Sequence, residues 1–312
     1  MTWNAETRAA RTTHALETAA AAGRELGLTV TEPTALYDAF SVVVHLKPSP
    51  VVARVPVVLP TSLQAPGVAA KRQQTELDVV QWLVEQDKPV VAPSPLVPRK
   101  PVQRDGLSMT FWQYVEQDKS VEPDFVAGTK LAAELHAVLA DYPGELPWLS
   151  PVTSAVPEGL AALTESELLT ADDLERIRLE WAVLEPVLMT REGFKRAFPA
   201  ARIQPIHGDA PSYNLIPTAD GVLWSDFEDA NFGPVEWDLA AFGPDLAKVY
   251  DEAAAALGRP GSNPDVLKVM DSARMLQFII CEPLLPQMPS LEDMLRQSIE
   301  IWRSMPLAGG LS

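Results

Sequence analysis

One segment of this chain places three oxygen-bearing side chains at fixed spacing around a tight turn. It starts at His207 and reads HGDAPSYNLIPTADGVLWSDFE. Asp209 is followed five residues later by Asn214 and, twelve residues after that, by Asp226. The residues 218–221 (TADG) separate two short apolar runs, which is typical of a β-hairpin. We therefore expect Asp209 to lie on a loop and the hairpin to bring Asn214 and Asp226 towards one another.

These three residue types meet the needs of phosphoryl transfer from a nucleotide. Asn214 and Asp226 offer carbonyl and carboxylate oxygens, which are the ligands that Mg²⁺ prefers. A carboxylate such as Asp209 can accept the proton of an attacking hydroxyl group. Protein kinases assign these tasks to an Asp, an Asn five positions later, and the Asp of a DFG segment on a following strand. The segment thus predicts a kinase reaction with Asp209 as the base and Asn214 and Asp226 as metal ligands.

The acidic residues that follow this constellation have more than one explanation. Glu228 suits a second metal ion, a cationic substrate or a solvated loop, and Asp229 is the acidic residue beside it. Asp238 opens the segment DLAAF, where a helix-capping role is sufficient to explain it. We expect the ring of His207 to fix the loop backbone and His136, in AAELHAVLA, to pack within a helix.

A charged residue interrupts an apolar strand in the first third of the chain. Arg54 lies in VVARVPVV, and a charge in a buried strand should be paired; a half-exposed strand is the alternative. Glu76 is the expected partner, as in the strand-to-helix ion pair that contacts nucleotide phosphates in kinases. At the glycine-free turn LYDAFS, phosphate contact is expected from backbone N–H groups and from the Ser41 hydroxyl. Trp112 and Tyr114 lie in FWQYV, a candidate hinge against an adenine or guanine ring.

The periodicity of apolar residues divides the chain into a β-rich part and a helical part. The first part is expected to contain helices at residues 3–26 and 73–86 and extended runs at 28–30, 41–46, 51–58, 90–97 and 107–115. Helices predominate after Pro123, with a capping-box start at Thr170 and Asp173. The patterns predict an α+β fold in which residues 1–114 form the N-terminal helix and nucleotide-binding lobe. Residues 115–312 are then a helical lobe with the catalytic hairpin and the acceptor pocket.

Charge and composition narrow the class of partner. The chain has 312 residues with 25 Lys and Arg against 42 Asp and Glu, a formal net charge of −17. Nucleic acids and anionic membranes are bound through Lys and Arg, so neither is expected as a partner. A cationic substrate agrees with this charge, although solubility explains it equally well.

The sequence also predicts a cytoplasmic protein. Cys281 is the only cysteine, which excludes an intrachain disulfide and a thiolate metal cluster. No run of about 18 uncharged apolar residues is present, so no transmembrane helix is expected. Charged residues, including Glu6 and Arg8, break the N-terminal Ala-rich stretch, which is therefore not a signal-peptide core. No sequence feature indicates an oligomeric state.

These residues resemble the aminoglycoside phosphotransferase family, whose relatives include choline and ethanolamine kinases. The resemblance rests on the Arg54–Glu76 pair, the hinge, the ELHAVL helix, HGDxxxxN and DFE…GPxxWDLA. It implies a bilobal protein-kinase-like fold with a small antiparallel-sheet lobe and a larger, mainly helical lobe. It also implies Mg²⁺ and either ATP or GTP, with the nucleotide held between the lobes. Arg54 departs from the usual lysine, and Glu228 stands where DFG has glycine.

The resemblance favours the hydroxyl group of an aminoglycoside, amino sugar or amino alcohol as the acceptor. The helical segment 150–200 and the helices around Ala247–Leu257 and Val266–Leu285 are expected to form its pocket. Candidate lining residues are Asp229, Trp237, Glu228 and Glu282. A metabolic kinase of a neutral sugar or hydroxy amino acid is the alternative. A nucleotide-binding pseudokinase is a further alternative, which the intact Asp, Asn and Asp constellation disfavours.

Overall fold

The computed structural model describes residues 3–64, 66–211 and 213–311, with Pro66 described by its backbone only. The chain divides into two compact units. The first comprises Met1–Val121, Ile216–Glu228 and Pro286–Met288, and the second comprises Glu122–Leu215, Asp229–Leu285 and Pro289–Ser312.

The first part of the chain forms a helix, an antiparallel sheet and a second helix. In chain order its elements are α1 (Ala5–Glu25), β1 (Val30–Asp38), β2 (Ser41–Pro48), β3 (Val51–Pro56), α2 (Pro66–Glu85), β4 (Val102–Arg104) and β5 (Leu107–Gln113). The five strands pair in the order β1-β2-β3-β5-β4. Every pairing in this sheet is antiparallel, as expected for the smaller lobe.

The rest of the chain is mainly helical with short strands. Its elements are α3 (Phe125–Leu139), α4 (Ser150–Ala162), α5 (Ala171–Leu188), α6 (Arg191–Ala197), β6 (Gln204–Ile206), β7 (Leu215–Thr218), β8 (Gly221–Trp224), β9 (Asn231–Gly233), α7 (Glu236–Leu239), α8 (Pro244–Ala256), α9 (Pro264–Ile279) and α10 (Glu292–Ser304). The strands β7 and β8 form the predicted hairpin, whereas β6 pairs with β9. Together with the first sheet, these elements confirm the predicted α+β class.

One face of the first sheet packs against α1, and the other face carries Arg54. The small residues Ala15 and Ala19 let α1 approach one face closely, and they share a core with Val42, Val44 and Ala53. Alternate strand residues point to opposite faces. The neighbouring cross-strand set Val43, Arg54 and Thr110 therefore lies on the face away from α1, in the register Val43↔Arg54↔Thr110.

Three boundaries differ from the sequence expectation. The strand β1 continues to Asp38, so the expected turn at 36–41 shrinks to residues 39 and 40. Its outer residues are exposed and lack alternation, and the backbone bonds to β2 decide its length. Helix α2 starts at Pro66, before the expected residue 73. Its first turns are exposed and carry no apolar stripe, so the periodicity could not predict them. The extended run 90–97 makes only isolated bridges at Val90 and Pro93.

No helix in the described ranges is both long and apolar enough to cross a lipid bilayer.

Candidate active site

The loop after β6 presents a carboxylate that is restrained at both of its oxygens. The side chain of Asp209 is 55% exposed, so an incoming molecule can reach it. Asn214 donates from Nδ2 to Asp209 Oδ2 at 3.0 Å and to the Asp209 carbonyl at 2.6 Å. Arg274 donates from Nη1 towards Asp209 Oδ1 at 3.4 Å. The spacing of five residues between Asp209 and Asn214 therefore produces a direct contact.

Arg274 is a buried cation that the sequence did not single out. Only 5% of its side chain is exposed, and its guanidinium lies 3.9 Å from the centre of the Trp237 ring. It also donates to the carbonyls of Gly208 (3.3 Å) and Trp237 (3.1 Å). Because α9 carries it 65 residues beyond Asp209, no local motif could have indicated this contact.

The surroundings of Asp209 favour a carboxylate that is a stronger base than usual. Although 55% of the side chain is exposed, partial desolvation by the surrounding protein raises the pKa of Asp209 to about 6, and the charges of Asp229 and Asp238 act in the same direction. The Arg274 guanidinium and the hydrogen bond from Asn214 oppose this rise. A carboxyl group with this pKa is ionised at neutral pH and is well matched to accepting a proton.

Asp238 holds the backbone of the loop that follows β6. Its fully buried carboxylate accepts hydrogen bonds from the N–H groups of His207 (3.0 Å) and Gly208 (2.8 Å). It also lies 2.8 Å from Nε2 of His136, whose Nδ1 lies 2.9 Å from the Tyr250 hydroxyl. Burial by itself would raise the pKa of Asp238, but the hydrogen bond and charge of His136 outweigh it and lower that pKa.

These contacts correct two interpretations made from the sequence. Asp238 does not cap α7, since that helix begins after Val235 without a side-chain cap. His136 does more than pack within α3, because its ring links Asp238 to Tyr250. The sequence could not reveal this pair, whose members are separated by 102 residues.

The backbone between β6 and Asp209 tolerates only glycine at residue 208. Gly208 has a φ of +92°, and a Cβ atom there would lie 2.0 Å from the carbonyl oxygen of Asp229. Next to it, the Asp209 N–H donates to Nδ1 of His207 at 3.2 Å. The prediction that His207 fixes the loop backbone is thereby confirmed.

Two of the candidate acceptor-lining residues have structural explanations instead. Trp237 is fully buried and donates from its indole to the Gly208 carbonyl at 2.8 Å, which contradicts a place in an acceptor pocket. Glu282 is 7% exposed, and its Oε1 accepts from the N–H groups of Glu167 (3.0 Å) and Leu168 (3.4 Å). Asp229 adds negative charge near Asp209 and stays a candidate.

A second group of charges surrounds Arg54 in the first unit. The predicted pair with Glu76 is confirmed, with Nη1 3.3 Å from both carboxylate oxygens. Nη2 of Arg54 also lies 2.7 Å from Asp226 and 2.7 Å from Glu228. The carboxylate of Glu228 is thus bound by an arginine. The φ of Asp226 is +62°, in the left-handed region that few non-glycine residues adopt.

The pKa values of this group reflect burial and an excess of carboxylates. Desolvation raises the pKa of Glu76 to about 8, and the negative charges of Glu228 and Asp226 act in the same direction against Arg54. Desolvation would lower the pKa of Arg54, but the three surrounding carboxylates outweigh it, so the guanidinium stays charged. A further cation placed here would be stabilised by the same carboxylates.

The residues present fit a magnesium ion that is completed by its substrate. Among the described residues, no three His, Cys, Asp or Glu side chains are arranged to hold a metal by themselves. Mg²⁺ is commonly bound by one or two protein oxygens together with nucleotide phosphates and water, which suits the single carboxylate of Asp226. In Asn214 the amide nitrogen is directed at Asp209, so the amide oxygen points away from that carboxylate.

The residues expected to meet a nucleotide lie on or beside one face of the sheet. Ser41 is buried, and its hydroxyl finds no hydrogen-bond partner within the described part of the chain. By strand alternation it shares the Arg54 face of the sheet, where an orphaned donor suits a phosphate oxygen. Trp112 is buried and donates to Thr110 at 2.9 Å, whereas the ring of Tyr114 stacks on His45 at 3.8 Å.

The candidate hinge already uses part of its backbone within the protein. The N–H group of Gln113 donates to the Ala92 carbonyl at 2.9 Å, and that of Tyr114 donates to the Pro50 carbonyl at 3.1 Å. A nucleobase that reads these residues would therefore rely on their carbonyls and rings more than on these two amides.

Several solved structures of kinases share the fold of this chain. The microcompartment-associated aminopropanol kinase shares the fold with a TM-score of 0.62 and 16% identity, covering 94% of this chain and 99% of that one. A choline kinase from Streptococcus pneumoniae gives 0.58 and 12%, covering 91% and 99%. Amicoumacin kinase, solved with AMP-PNP and Ca²⁺, gives 0.59 and 11%, covering 96% and 97%. These likenesses confirm the predicted kinase-like fold.

No curated protein matches this chain in sequence. The profile of one protein family, however, matches residues 42–267, which is well over half of the chain and includes both Arg54 and the segment from Asp209 to Asp238. The chain therefore belongs to the phosphotransferase enzyme family (APH).

Proposed function

We propose that this phosphotransferase moves the γ-phosphoryl group of ATP or GTP to a hydroxyl group of a small molecule in a Mg²⁺-dependent reaction. The observation that carries the proposal is the Asp209 carboxylate, which is reachable from solvent and restrained at both oxygens. A general base needs this combination of access, orientation and a raised pKa. A turn-forming Asp would need none of these contacts.

In the proposed reaction Asp209 accepts the proton of the acceptor hydroxyl while the hydroxyl oxygen forms its bond to the γ-phosphorus. The bond between that phosphorus and the bridging oxygen breaks, and the nucleoside diphosphate leaves with the bonding electrons. Asn214 keeps the carboxylate oriented through its bond to Oδ2. Arg274 places a positive charge beside Oδ1, which stabilises the ionised form before the transfer.

We assign the remaining candidate residues to the nucleotide. Asn214 and Asp226 would hold Mg²⁺, which when bound neutralises charge on the phosphate oxygens. Arg54 and the unpartnered hydroxyl of Ser41 would contact the phosphates. Trp112 and Tyr114 would contact the purine ring. Glu76 acts through Arg54, to which it is bonded.

An amine-bearing acceptor is the favoured substrate class. Proteins with a similar fold are named as kinases of aminopropanol and of choline, and others as aminoglycoside phosphotransferases, and these acceptors share a cationic nitrogen. Asp229 adds negative charge near the proposed base, where a cation would be stabilised. An amino alcohol, amino sugar or aminoglycoside would satisfy both considerations. A neutral sugar or hydroxy amino acid is the alternative acceptor.

The test is release of ADP or GDP in the presence of Mg²⁺ across aminoglycosides, amino sugars, amino alcohols, neutral sugars and hydroxy amino acids. Turnover on an amine-bearing acceptor that disappears in Asp209→Asn is the expected result. Turnover on neutral acceptors alone would replace the favoured class by the alternative. Nucleotide binding without turnover on any acceptor would contradict the proposed transfer and favour a nucleotide-binding pseudokinase.

A further inference from the structure

Two residues that depart from the kinase pattern contact one another directly. Arg54 stands where kinases have lysine, and Glu228 stands where the DFG segment has glycine. Nη2 of Arg54 lies 2.7 Å from Oε1 of Glu228 and also 2.7 Å from Oδ1 of Asp226. One nitrogen of the guanidinium is therefore shared by two carboxylates, while Nη1 is bonded to Glu76.

Glu228 is bound by a second arginine as well. Its Oε2 lies 3.4 Å from Nη1 of Arg72, and its carbonyl accepts from Nε of Arg72 at 3.0 Å. Its side chain is 19% exposed, whereas that of Asp226 is 37% exposed. Asp226 is thus the acceptor that an incoming cation reaches more easily, and Glu228 is the one that is fixed on both sides.

A cation that binds Asp226 would meet a carboxylate that is already paired. It has to compete with Arg54 for the same Oδ1 atom. The competition is weaker if Arg54 keeps another partner when it releases Asp226.

We propose that Glu228 is a positioning residue that retains Arg54 when Asp226 turns to a metal–nucleotide complex. The inference rests on the proposed function, in which Asp226 is a metal ligand. Arginine suits this exchange because its planar fork offers several donors at once, whereas a lysine offers a single point charge. The arginine and the glutamate would then act as one unit in place of the lysine and glycine of kinases.

The proposal predicts different effects on Mg²⁺-dependent and on metal-free nucleotide binding. A purely structural role would change both together. Without the charge of Glu228, Nη2 of Arg54 bonds Asp226 alone, so Mg²⁺ must break a stronger pair. Binding of the nucleotide without metal does not require that release, and Arg54 has then lost one competing carboxylate. Glu228→Gln should therefore weaken the Mg²⁺-dependent part of nucleotide binding and leave metal-free affinity unchanged or tighter.

The experiment is isothermal titration of the full chain with ATP in EDTA and across a series of Mg²⁺ concentrations. For Glu228→Gln we expect the Mg²⁺ concentration for half-maximal enhancement of ATP binding to rise about tenfold, the scale of one charge-assisted hydrogen bond. Metal-free affinity should stay within about twofold of the wild type or tighten. Glu32→Gln removes the same charge from an exposed position in β1 and is the matched control.

A second substitution, at Arg54, tests whether Glu228 acts through that arginine. In Arg54→Met the Glu228→Gln change should have little further effect on Mg²⁺ dependence, because its target is gone; Arg54→Gln, which also removes the positive charge, serves if Arg54→Met does not fold. An undiminished effect would show that Glu228 binds the metal directly and would overturn the proposal. Equal weakening with and without Mg²⁺ would overturn it in favour of a structural role.

The wild type distinguishes a failure of this inference from a failure of the proposed function. ATP binding that is unaffected by Mg²⁺ in the wild type would contradict the proposed function and the inference together. Binding that depends on Mg²⁺ equally in the wild type and in Glu228→Gln would contradict only the role of Glu228. Thermal unfolding of each variant shows that the comparison is made on folded protein.

Discussion

At the scale of single residues, the position of Asp209 depends on the fully buried carboxylate of Asp238. Its carboxylate is hydrogen-bonded to two backbone N–H groups of the loop and to the ring of His136. A buried charge is stable only while its partners are in place, so the loop and this carboxylate fix each other. Gly208, between them, has no room for a side chain.

Asp238→Asn should therefore affect stability as well as activity. The asparagine keeps the shape but turns an N–H donor towards groups that already donate, and we expect a loss of about 3 kcal/mol in the free energy of unfolding. Urea denaturation measures this loss, with Asp141→Asn, an exposed carboxylate, as the control. A loss no larger than that of the control would show that the loop does not depend on Asp238.

Arg274→Met tests whether Asp209 must be oriented by Arg274 as well as by Asn214. Methionine retains apolar packing on Trp237 but removes the donors to Asp209 and Gly208. Because small misplacements of a reacting group can cost up to about a hundredfold, we expect kcat to fall by about 10- to 100-fold. Steady-state kinetics would be compared with Arg296→Met, an exposed arginine of α10. A kcat equal to that of the control would exclude this role for Arg274.

At the scale of elements, local signals were predictable and distant partners were not. The Thr170–Asp173 capping box at the start of α5 is confirmed, since both residues lie within one turn. The strands β4 and β9 were missed because three residues are too few for a periodicity to emerge.

The same distinction holds within the candidate site. The Arg54–Glu76 pair was predicted because kinases have a related pair. Asp238 and Arg274 were missed as loop anchors because their partners come from distant parts of the chain, as in the contact between Asp238 and His136. Long-range side-chain contacts leave no spacing in a single sequence by which they could be recognised.

The start of α5 also provides a pH-dependent contribution to stability. Asp173 accepts from the Thr170 N–H at 2.8 Å and pairs with Arg303 at 2.6 Å. The Arg303 hydrogen bond outweighs desolvation and, together with the bonds from Thr170, holds the pKa of Asp173 well below its usual range. A depressed folded-state pKa stabilises the protein above the unfolded-state pKa of about 4, and this stabilisation is lost as the pH falls towards the folded-state value.

Arg303→Met should accordingly destabilise the protein most at neutral pH. Because the arginine is partly exposed, we expect only about 1 kcal/mol at pH 7. The difference from the wild type should narrow as the pH falls from 5 to 3, since Asp173 begins to protonate in the unfolded state. Urea denaturation at several pH values measures it, and a difference that does not vary with pH would contradict the assignment.

At the scale of the whole molecule, one motif predicted the architecture well because it needs partners from separate stretches of chain. The motif, taken with the Arg54–Glu76 pair, implies a sheet, a helix and a hairpin, all of which are present. The order along the chain differs from the grouping in space, since residues Ile216–Glu228 belong to the first compact unit. The kinase-like fold thus follows from the chemistry that the motif implies.

The net charge of −17 makes a prediction about the rate of substrate capture. A strongly acidic protein attracts a cationic acceptor over several ångströms, and added salt screens this attraction. If the acceptor carries an amine, kcat/KM for it should fall severalfold as NaCl rises from about 20 to 200 mM. A neutral hydroxyl compound turned over by the same protein is the control. Equal salt dependence for both would show that net charge does not steer the acceptor.

The central claim is that Asp209 is the base of a phosphoryl transfer, and kcat of Asp209→Asn tests it most directly. The asparagine preserves size but cannot take up the proton of the hydroxyl. With the acceptor identified by the release assay, we expect kcat to fall by roughly a hundredfold or more, while the Kd for Mg²⁺–ATP stays within about twofold. Wild-type turnover in Asp209→Asn would contradict the account.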